Sequence, residues 1–369
     1  MIRYKFSRTR NSEFASVLRK RVRAYFKENN LSQKGNQDMY LKTVVALSIY
    51  FVPFLIILFS GITYLPVLFL LWMVMGFGKA VIGTSVMHDV LHGSYSSNKK
   101  LNFFMHVAPL AIGVYPRTWK LQHNVLHHTY TNIEHNDEDL TPIGVLRFSP
   151  NQELRWFHKY QHIYATFFYC IVTLMWALAK DFVKITKYRN MGLLKSDWEF
   201  VQNIGLIILS KTFYFSLIIG LPLLLTPISL GQILLMFLTM HLVTGFVLSM
   251  VFQLAHIMPD IHFIEQEEQD IEQNWLVHQL ETTSNYAMKN KFITWIFGGL
   301  NHQVEHHLFP NICHIHYPEI SRIVQKTTKE FNLPYHHQRF FGSAIVLHYK
   351  MLKALGSGQV KPSTVTKVA

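Results

Sequence analysis

Cysteine is nearly absent: Cys170 and Cys313 are the only two in 369 residues, 143 positions apart. That excludes a disulfide framework and any zinc or iron–sulfur cluster held by cysteine. Charge is scarce too, at 15% Asp, Glu, Lys and Arg against roughly 25% in a soluble domain, so the chain is short of surface for a soluble globule. Carboxylates are the scarcer sign, 22 against 35 Lys and Arg, which leaves a net charge of +13. From Thr43 to Ser60 and from Phe213 to Met258 there is no Lys, Arg, Asp or Glu at all. Runs of this kind define an integral membrane protein.

What charge there is sits in three blocks. Residues 1–40 hold ten Lys or Arg and three Asp or Glu, with Phe14, Val17, Leu18, Val22, Tyr25 and Phe26 recurring at steps of three and four among Arg19, Lys20, Arg21, Arg23 and Lys27. A secretory signal would need an apolar run soon after its positive start. The pattern is instead a basic amphipathic helix, lying either on an anionic membrane face or against the rest of the protein. Hydrophobic segments follow at 43–60, 62–84, 163–179, 203–226 and 229–255, with a shorter one at 103–115. Residues 85–202 carry twelve Lys or Arg and residues 257–369 carry ten, so 32 of 35 basic residues fall in three segments. Placing all three on the cytosolic side satisfies the positive-inside tendency if 163–179, the shortest of the five, lies in the interface.

The expected fold is therefore an all-α integral membrane protein, with four transmembrane helices in two hairpins and a cytosolic helical body. Its parts are a basic N-terminal segment at 1–40, a first hairpin at 41–84, a cytosolic region at 85–202, a second hairpin at 203–255, a second cytosolic region at 256–357 and a tail at 358–369. Termini and site share the cytosolic side. Lys79 and Lys211, inside apolar runs, are expected to snorkel to the interface.

The abundant residue is histidine, 21 in all. Three clusters lie in the cytosolic segments: His88-Asp89-Val90-Leu91-His92, His123-Asn124-Val125-Leu126-His127-His128 and His302-Gln303-Val304-Glu305-His306-His307. Imidazoles four apart share a helix face, close enough for one metal. An adjacent histidine on an α-helix points about 100° away and can serve a second metal. One such pair is a weak signal, but eight histidines in three clusters on one side make a metal centre, since imidazole suits iron, zinc and copper. Eight ligands fit two metals with open positions better than one. The zinc-protease signature H-E-x-x-H would leave the other clusters idle and has Glu where this chain has Asp89. His256 emerges at the end of the last span, as a ligand or a structural residue, whereas His241 is mid-span and reads as core. His106, His135, His158, His162, His278, His314 and His316 read as surface or supporting residues. Asp89, Asn124 and Glu305 are candidate acceptors for imidazole N–H groups. The loop Asn136-Asp137-Glu138-Asp139 reads as a solvated turn.

In these clusters the chain resembles the membrane-bound fatty acid desaturases, whose three histidine boxes hold a non-haem di-iron centre. The spacings H-x-x-x-H, H-x-x-x-H-H and Q-x-x-H-H occur at 88–92, 123–128 and 303–307. Flanking stretches agree, from Trp119-Lys120-Leu121-Gln122-His123 through Thr131-Asn132 and from Gly298-Gly299-Leu300-Asn301 through Leu308-Phe309-Pro310. The resemblance covers about residues 40–345 and is strongest to the acyl-CoA and acyl-lipid branch with linoleoyl-type, front-end members. It implies iron ligation by His88, His92, His123, His127, His128, His306 and His307, and promotes His256 to a ligand. Gln303 stands where many members have histidine; its amide oxygen can ligate or hold a water, and His302 beside it can compensate. The resemblance also implies two iron ions, dioxygen as co-substrate and a cis double bond placed in the acyl chain of an acyl-CoA or acyl-lipid held in a closed apolar tunnel.

Electrons must come from an external donor, a ferredoxin or small cytochrome with its reductase, because the His-Pro-Gly-Gly motif of a fused haem domain does not occur in the sequence. The basic N-terminal region can dock such an acidic carrier, a CoA phosphate or membrane lipid. No nucleic-acid partner is expected. Two other functions fit parts of the pattern: a lipid hydroxylase of the same di-iron chemistry, and a membrane metal or proton transporter. The transporter reading is weakened because its ionisable groups should lie near the bilayer midplane, where only His241 falls. Chain length, head group and regiochemistry of the substrate depend on tunnel shape.

Overall fold

The computed structural model describes residues 4–140, 144–263, 270–271 and 273–361, so the expected tail lies outside the described residues from 362 onward. The long helices are α1 (Ser12–Glu28), α2 (Gln37–Phe59), α3 (Leu65–Leu91), α4 (Trp156–Asn190), α5 (Asp197–Leu225) and α6 (Leu230–His256). Strand structure among the described residues is confined to two short parallel pairs. In one, Lys5 pairs with Asp270; in the other, Ser284–Tyr286 pairs with His336–Gln338. The all-helical expectation holds.

Among the described residues five helices, α2 to α6, are long and apolar enough to cross a membrane, one more than the four spans expected. The additional one is α4: the apolar stretch 163–179 is the middle of a 35-residue helix that runs on through Lys180, Asp181 and Lys184. Helix starts follow local chemistry. The Asn36 side chain accepts from the Asp38 and Met39 amides at 2.9 and 3.3 Å at the head of α2, and Ser196 accepts from the Glu199 amide at 3.1 Å at the head of α5. Both caps satisfy amides that the helix leaves open. At 27 residues, α3 is roughly 40 Å long, more than the roughly 30 Å of a bilayer core; its surplus carries the first histidine cluster.

The chain forms two compact units. One comprises residues 35–121 and 166–250, the other residues 1–34, 122–165 and 251–369. In the former, α3 lies close against two neighbours. A Cβ at Gly78 would stand 2.7 Å from the Tyr50 amide nitrogen, and one at Gly76 would stand 2.6 Å from the Met240 carbonyl. Only glycine admits backbones this near, the usual device for tight helix packing in lipid.

The two intramembrane lysines do not snorkel. Lys79 is buried, its Nζ donating to Tyr214 Oη at 2.7 Å and lying 3.2 Å from His241 Nε2. His241 in turn reaches Thr173 Oγ1 through Nδ1 at 3.1 Å, so it is a hydrogen-bonded core residue as expected. Lys211 pairs with Asp181 at 2.5 Å and donates to the carbonyls of Gly113 and Trp176. Partners on other helices satisfy these ammonium groups inside the bundle, which removes the need to reach water.

In the other unit, α1 buries Phe14, Leu18, Val22 and Phe26 against α7 (Trp275–Thr282), α8 (Gln303–Leu308) and α9 (Tyr317–Glu330), in a core shared with Leu280, Val304, Leu308, Ile320 and Val324. Of the two sequence readings of this helix, the apolar face therefore takes the one in which it packs on protein. The last helix, α10 (Phe341–Gly356), carries His348, fully buried, with Nδ1 donating to the Ile257 carbonyl at 3.1 Å.

Burial pushes the His348 pKa down from 6.5 to about 4. The unfolded chain thus binds the extra proton between those values, and stability present above pH 6.5 falls as the pH drops through 4, by about 3 kcal/mol at most from this group. Thermal denaturation across that range should show the loss. His348→Asn keeps an N–H donor without the titration and should flatten the pH slope.

Candidate metal centre

The second histidine cluster is not α-helical. Lys120–His127 is wound as a π-turn, visible in the His128 amide donating to the His123 carbonyl five residues back at 3.0 Å. Such winding brings residues five apart onto one face and recurs at functional sites. His123 and His128 consequently meet, with Nε2 atoms 3.3 Å apart, while His127 lies beside His123 with ring centres at 5.2 Å.

The third cluster sits on the short helix α8. Gly298 and Gly299, at φ +61° and +69°, turn the chain toward it, and a side chain at Gly299 would collide with His314. At its start the Val304 amide donates to Asn285 Oδ1 at 2.8 Å. His306 and His307 are fully buried, as is His256, the last residue of α6.

These elements bring six histidines of one unit together. Ligand atoms of His127, His256 and His307 lie within 4.8 Å of one another, as do those of His128, His306 and His307, and those of His123, His127 and Asp139. His127 and His128 thus belong to different trios that share His307. The first cluster lies in the other unit, at the end of α3, where His88 and His92 hold ring centres 4.6 Å apart with the Trp119 ring edge-on to both.

Gln303 stands among the imidazoles, its Nε2 3.0 Å from His256 Nε2 and 3.4 Å from His307 Nε2. His302 does not join them. It is buried, which pushes its pKa down to about 4, and its Nδ1 lies 3.8 Å from Glu305. Glu305 accepts from Tyr335 Oη and Asn285 Nδ2, both at 2.8 Å, and burial raises its pKa to about 7 against those two bonds. Its carboxylate braces α8 rather than orienting one of the clustered imidazoles. Asp89 lies 3.7 Å from His88 Nδ1, and Asn124 is half-buried.

The acceptors that do orient the imidazoles come from elsewhere. Asp137 takes His127 Nδ1–H at 3.0 Å, and Asp139 takes His123 Nδ1–H at 3.0 Å. This corrects the reading of Asn136–Asp139 as a solvated turn: Asp137 and Glu138 are buried, because the loop folds in to meet the imidazoles. Gln279 Oε1 accepts from His307 Nδ1 at 2.7 Å and from Thr131 Oγ1 at 2.8 Å, and Tyr317 Oη lies 3.3 Å from His306 Nδ1. His278 is buried too, donating from Nε2 to the Thr131 carbonyl at 2.8 Å. His158, His314 and His316 are likewise buried rather than on the surface.

His127 shows what this arrangement does. Burial draws its pKa down, but the charge and hydrogen bond of Asp137, aided by Asp139, outweigh that and hold it above the ordinary histidine value. With Nδ1 committed to Asp137, Nε2 is left buried with no hydrogen-bond partner among the described residues. A basic, aimed and dry lone pair is costly to bury for nothing, and it is the form of imidazole that binds a metal. The donor set therefore fits an imidazole-preferring metal.

Comparison with known proteins agrees. The fatty acid desaturase family model matches residues 62–339. The sn-1 linoleoyl-lipid 6-desaturase of Arthrospira platensis is 34% identical over 358 residues, covering 95% of this chain and 94% of that protein. The enzyme of the same description from Synechocystis sp. is 34% identical, covering 96% and 98%. The acyl-lipid (8-3)-desaturase of Physcomitrium patens is 33% identical, covering 94% and 72%. The chain belongs to the fatty acid desaturase family; it is an oxidoreductase of lipid metabolism with front-end desaturases among its relatives.

Removing the carboxylate behind His127 tests the role given to it. Asp137→Asn should weaken metal binding by about 10- to 100-fold, read by competition with a chelator, while helix content stays unchanged.

Proposed function

We propose that the chain inserts a cis double bond at the sixth carbon of a lipid-linked polyunsaturated acyl chain, using two irons held by His88, His92, His123, His127, His128, His256, His306 and His307. The observation that carries the metal reading is the buried, aimed Nε2 of His127 beside five further imidazoles. The regiochemistry rests on the printed activity of the relatives from Arthrospira platensis and Synechocystis sp.. Bound iron would supply the power to activate dioxygen and remove hydrogen from an unactivated methylene. The residues do the rest. Asp137, Asp139 and Gln279 hold imidazole tautomers, Gln303 sets its side-chain amide beside His256 and His307, and the buried surroundings keep bulk water from the reaction.

The net change removes two hydrogens from adjacent methylenes and reduces dioxygen to two waters. Dioxygen takes four electrons, of which the acyl chain gives two. The other two electrons come, one at a time, from an external reduced carrier such as a ferredoxin or small cytochrome, and the two further protons come from solvent. For the membrane, the reading that fits the distribution of Lys and Arg has α2, α3, α5 and α6 spanning, α4 in the interface, and a cytosolic helical cap that shares its side with both termini. The α4 charges from Lys180 to Arg189 favour that placement.

The test is the fatty acid profile of a host expressing the protein, beside one expressing His306→Ala, with double-bond positions read by mass spectrometry. A new species unsaturated at the sixth carbon, present only with the intact histidine, is expected. A hydroxylated chain in its place would assign the related hydroxylase chemistry, and a double bond elsewhere would overturn the regiochemistry alone.

A further inference from the structure

The reaction draws two electrons from a reduced carrier, so some part of the surface must receive one. We propose that the solvent-facing surface shared by α1 and α9 is the docking face for an acidic one-electron carrier protein. This rests on the desaturase reading above and deepens it by naming where its partner binds.

The charge arrangement comes first. On α1, Arg19, Lys20, Arg23 and Lys27 are exposed on the side opposite the buried Phe14, Leu18, Val22 and Phe26. On α9, Lys326 and Lys329 are exposed opposite the buried Ile320 and Val324. The two helices are tied by Arg21, which pairs with Glu330 at 2.6 Å and donates to Thr327 Oγ1 at 3.0 Å. The other acidic residue of α9, Glu319, pairs with Arg322 at 2.7 Å. Both α9 carboxylates are thus engaged; α1 also exposes Glu13 and Glu28 at its two ends, and the six exposed cations between and beside them leave the surface net positive. Such a surface steers and orients an oppositely charged protein.

The second observation separates a protein partner from a lipid one. A helix that binds membrane does so by burying its apolar side among acyl chains. The apolar side of α1 is already buried in protein, 0% exposed at Phe14 and Leu18. What it offers outward is charge without an apolar anchor, which suits a soluble acidic partner.

The third is connection to the site. The core beneath α1 and α9 includes Val304 and Leu308 of α8, the helix that carries His306 and His307. Tyr317, the first residue of α9, sets its hydroxyl 3.3 Å from His306 Nδ1. One helix layer, about 8–10 Å between axes, separates the charged surface from the third histidine cluster, and the layer is packed protein throughout.

The test uses the full chain in lipid vesicles and a plant-type [2Fe–2S] ferredoxin as probe. Binding of the oxidised ferredoxin is titrated against the native protein and against the triple variant Arg19→Glu, Arg23→Glu, Lys326→Glu, with a milder set of the same positions to Gln. The expected result is an affinity at least about tenfold lower for the Glu variant and an intermediate one for the Gln variant, the difference closing as salt is raised. Equal affinities would overturn the proposal. A difference that vanishes when anionic lipid is left out of the vesicles would also overturn it and assign the face to head groups. Because binding is read without turnover, failure here is distinct from failure of the desaturase reading. That reading is checked in the same vesicles by a single turnover, in which stoichiometric dithionite and a small mediator reduce the protein anaerobically before dioxygen is admitted, and which the surface substitutions should leave unchanged.

Discussion

Everything at this site depends on what it takes to bury imidazole. A histidine ring has two nitrogens, and in a dry interior each needs an occupant: a hydrogen-bond partner, or a metal. The unit built from residues 1–34, 122–165 and 251–369 buries His123, His127, His128, His256, His306 and His307 together. It spends Asp137, Asp139, Gln279 and Tyr317 on their Nδ1 atoms. The carboxylates and the amide oxygen fix the tautomers of His127, His123 and His307, and the nitrogens left over lie close to one another. The fold that holds them follows from this demand. The π-turn at Lys120–His127 gathers three imidazoles from one short stretch, the Gly298-Gly299 turn leads into α8, and α1 packs over α8 and α9 to complete the core.

The acceptors are not alike, and the difference has chemical content. His123 and His127 are backed by carboxylates, His307 by a neutral amide and His306 by a phenol. Carboxylate backing makes an imidazole a stronger donor to metal than amide backing does. The trio of His127, His256 and His307 therefore sets a carboxylate-backed ring beside an amide-backed one, while the trio of His128, His306 and His307 holds that same amide-backed ring beside the phenol-backed His306. Two metal positions in such surroundings would differ in electron density even with the same element in both.

Much of this was legible in the sequence, for reasons that can be named. Long uncharged runs carry their own meaning in lipid, so the apolar stretches of α2, α3, α5 and α6 could be placed, with the ends up to seven residues off, and the histidine spacing marked the three clusters directly. What could not be read depends on contacts between distant positions or on unusual local winding. Nothing in His123 to His128 announces a π-turn. Gln279 meets His307 from 28 residues away, and Lys79 meets Tyr214 and His241 from 135 and 162 away, so snorkelling was the natural local reading. The acidic loop at 136–139 looked solvated because carboxylates usually are. Its position 8 to 11 residues after His128 was the available hint that it returns to serve those imidazoles. Burial of the α1 apolar face settled a choice that amphipathic periodicity alone leaves open, since the same pattern serves a membrane surface and a protein core.

The central claim is that these imidazoles share a pair of irons, and Mössbauer spectroscopy of protein loaded with ⁵⁷Fe tests it most directly when combined with metal analysis. The account predicts two irons per chain, each in a nitrogen-rich environment and magnetically coupled, with slightly different parameters for the two sites. A single uncoupled iron, or a preparation fully active with no iron bound, would contradict it.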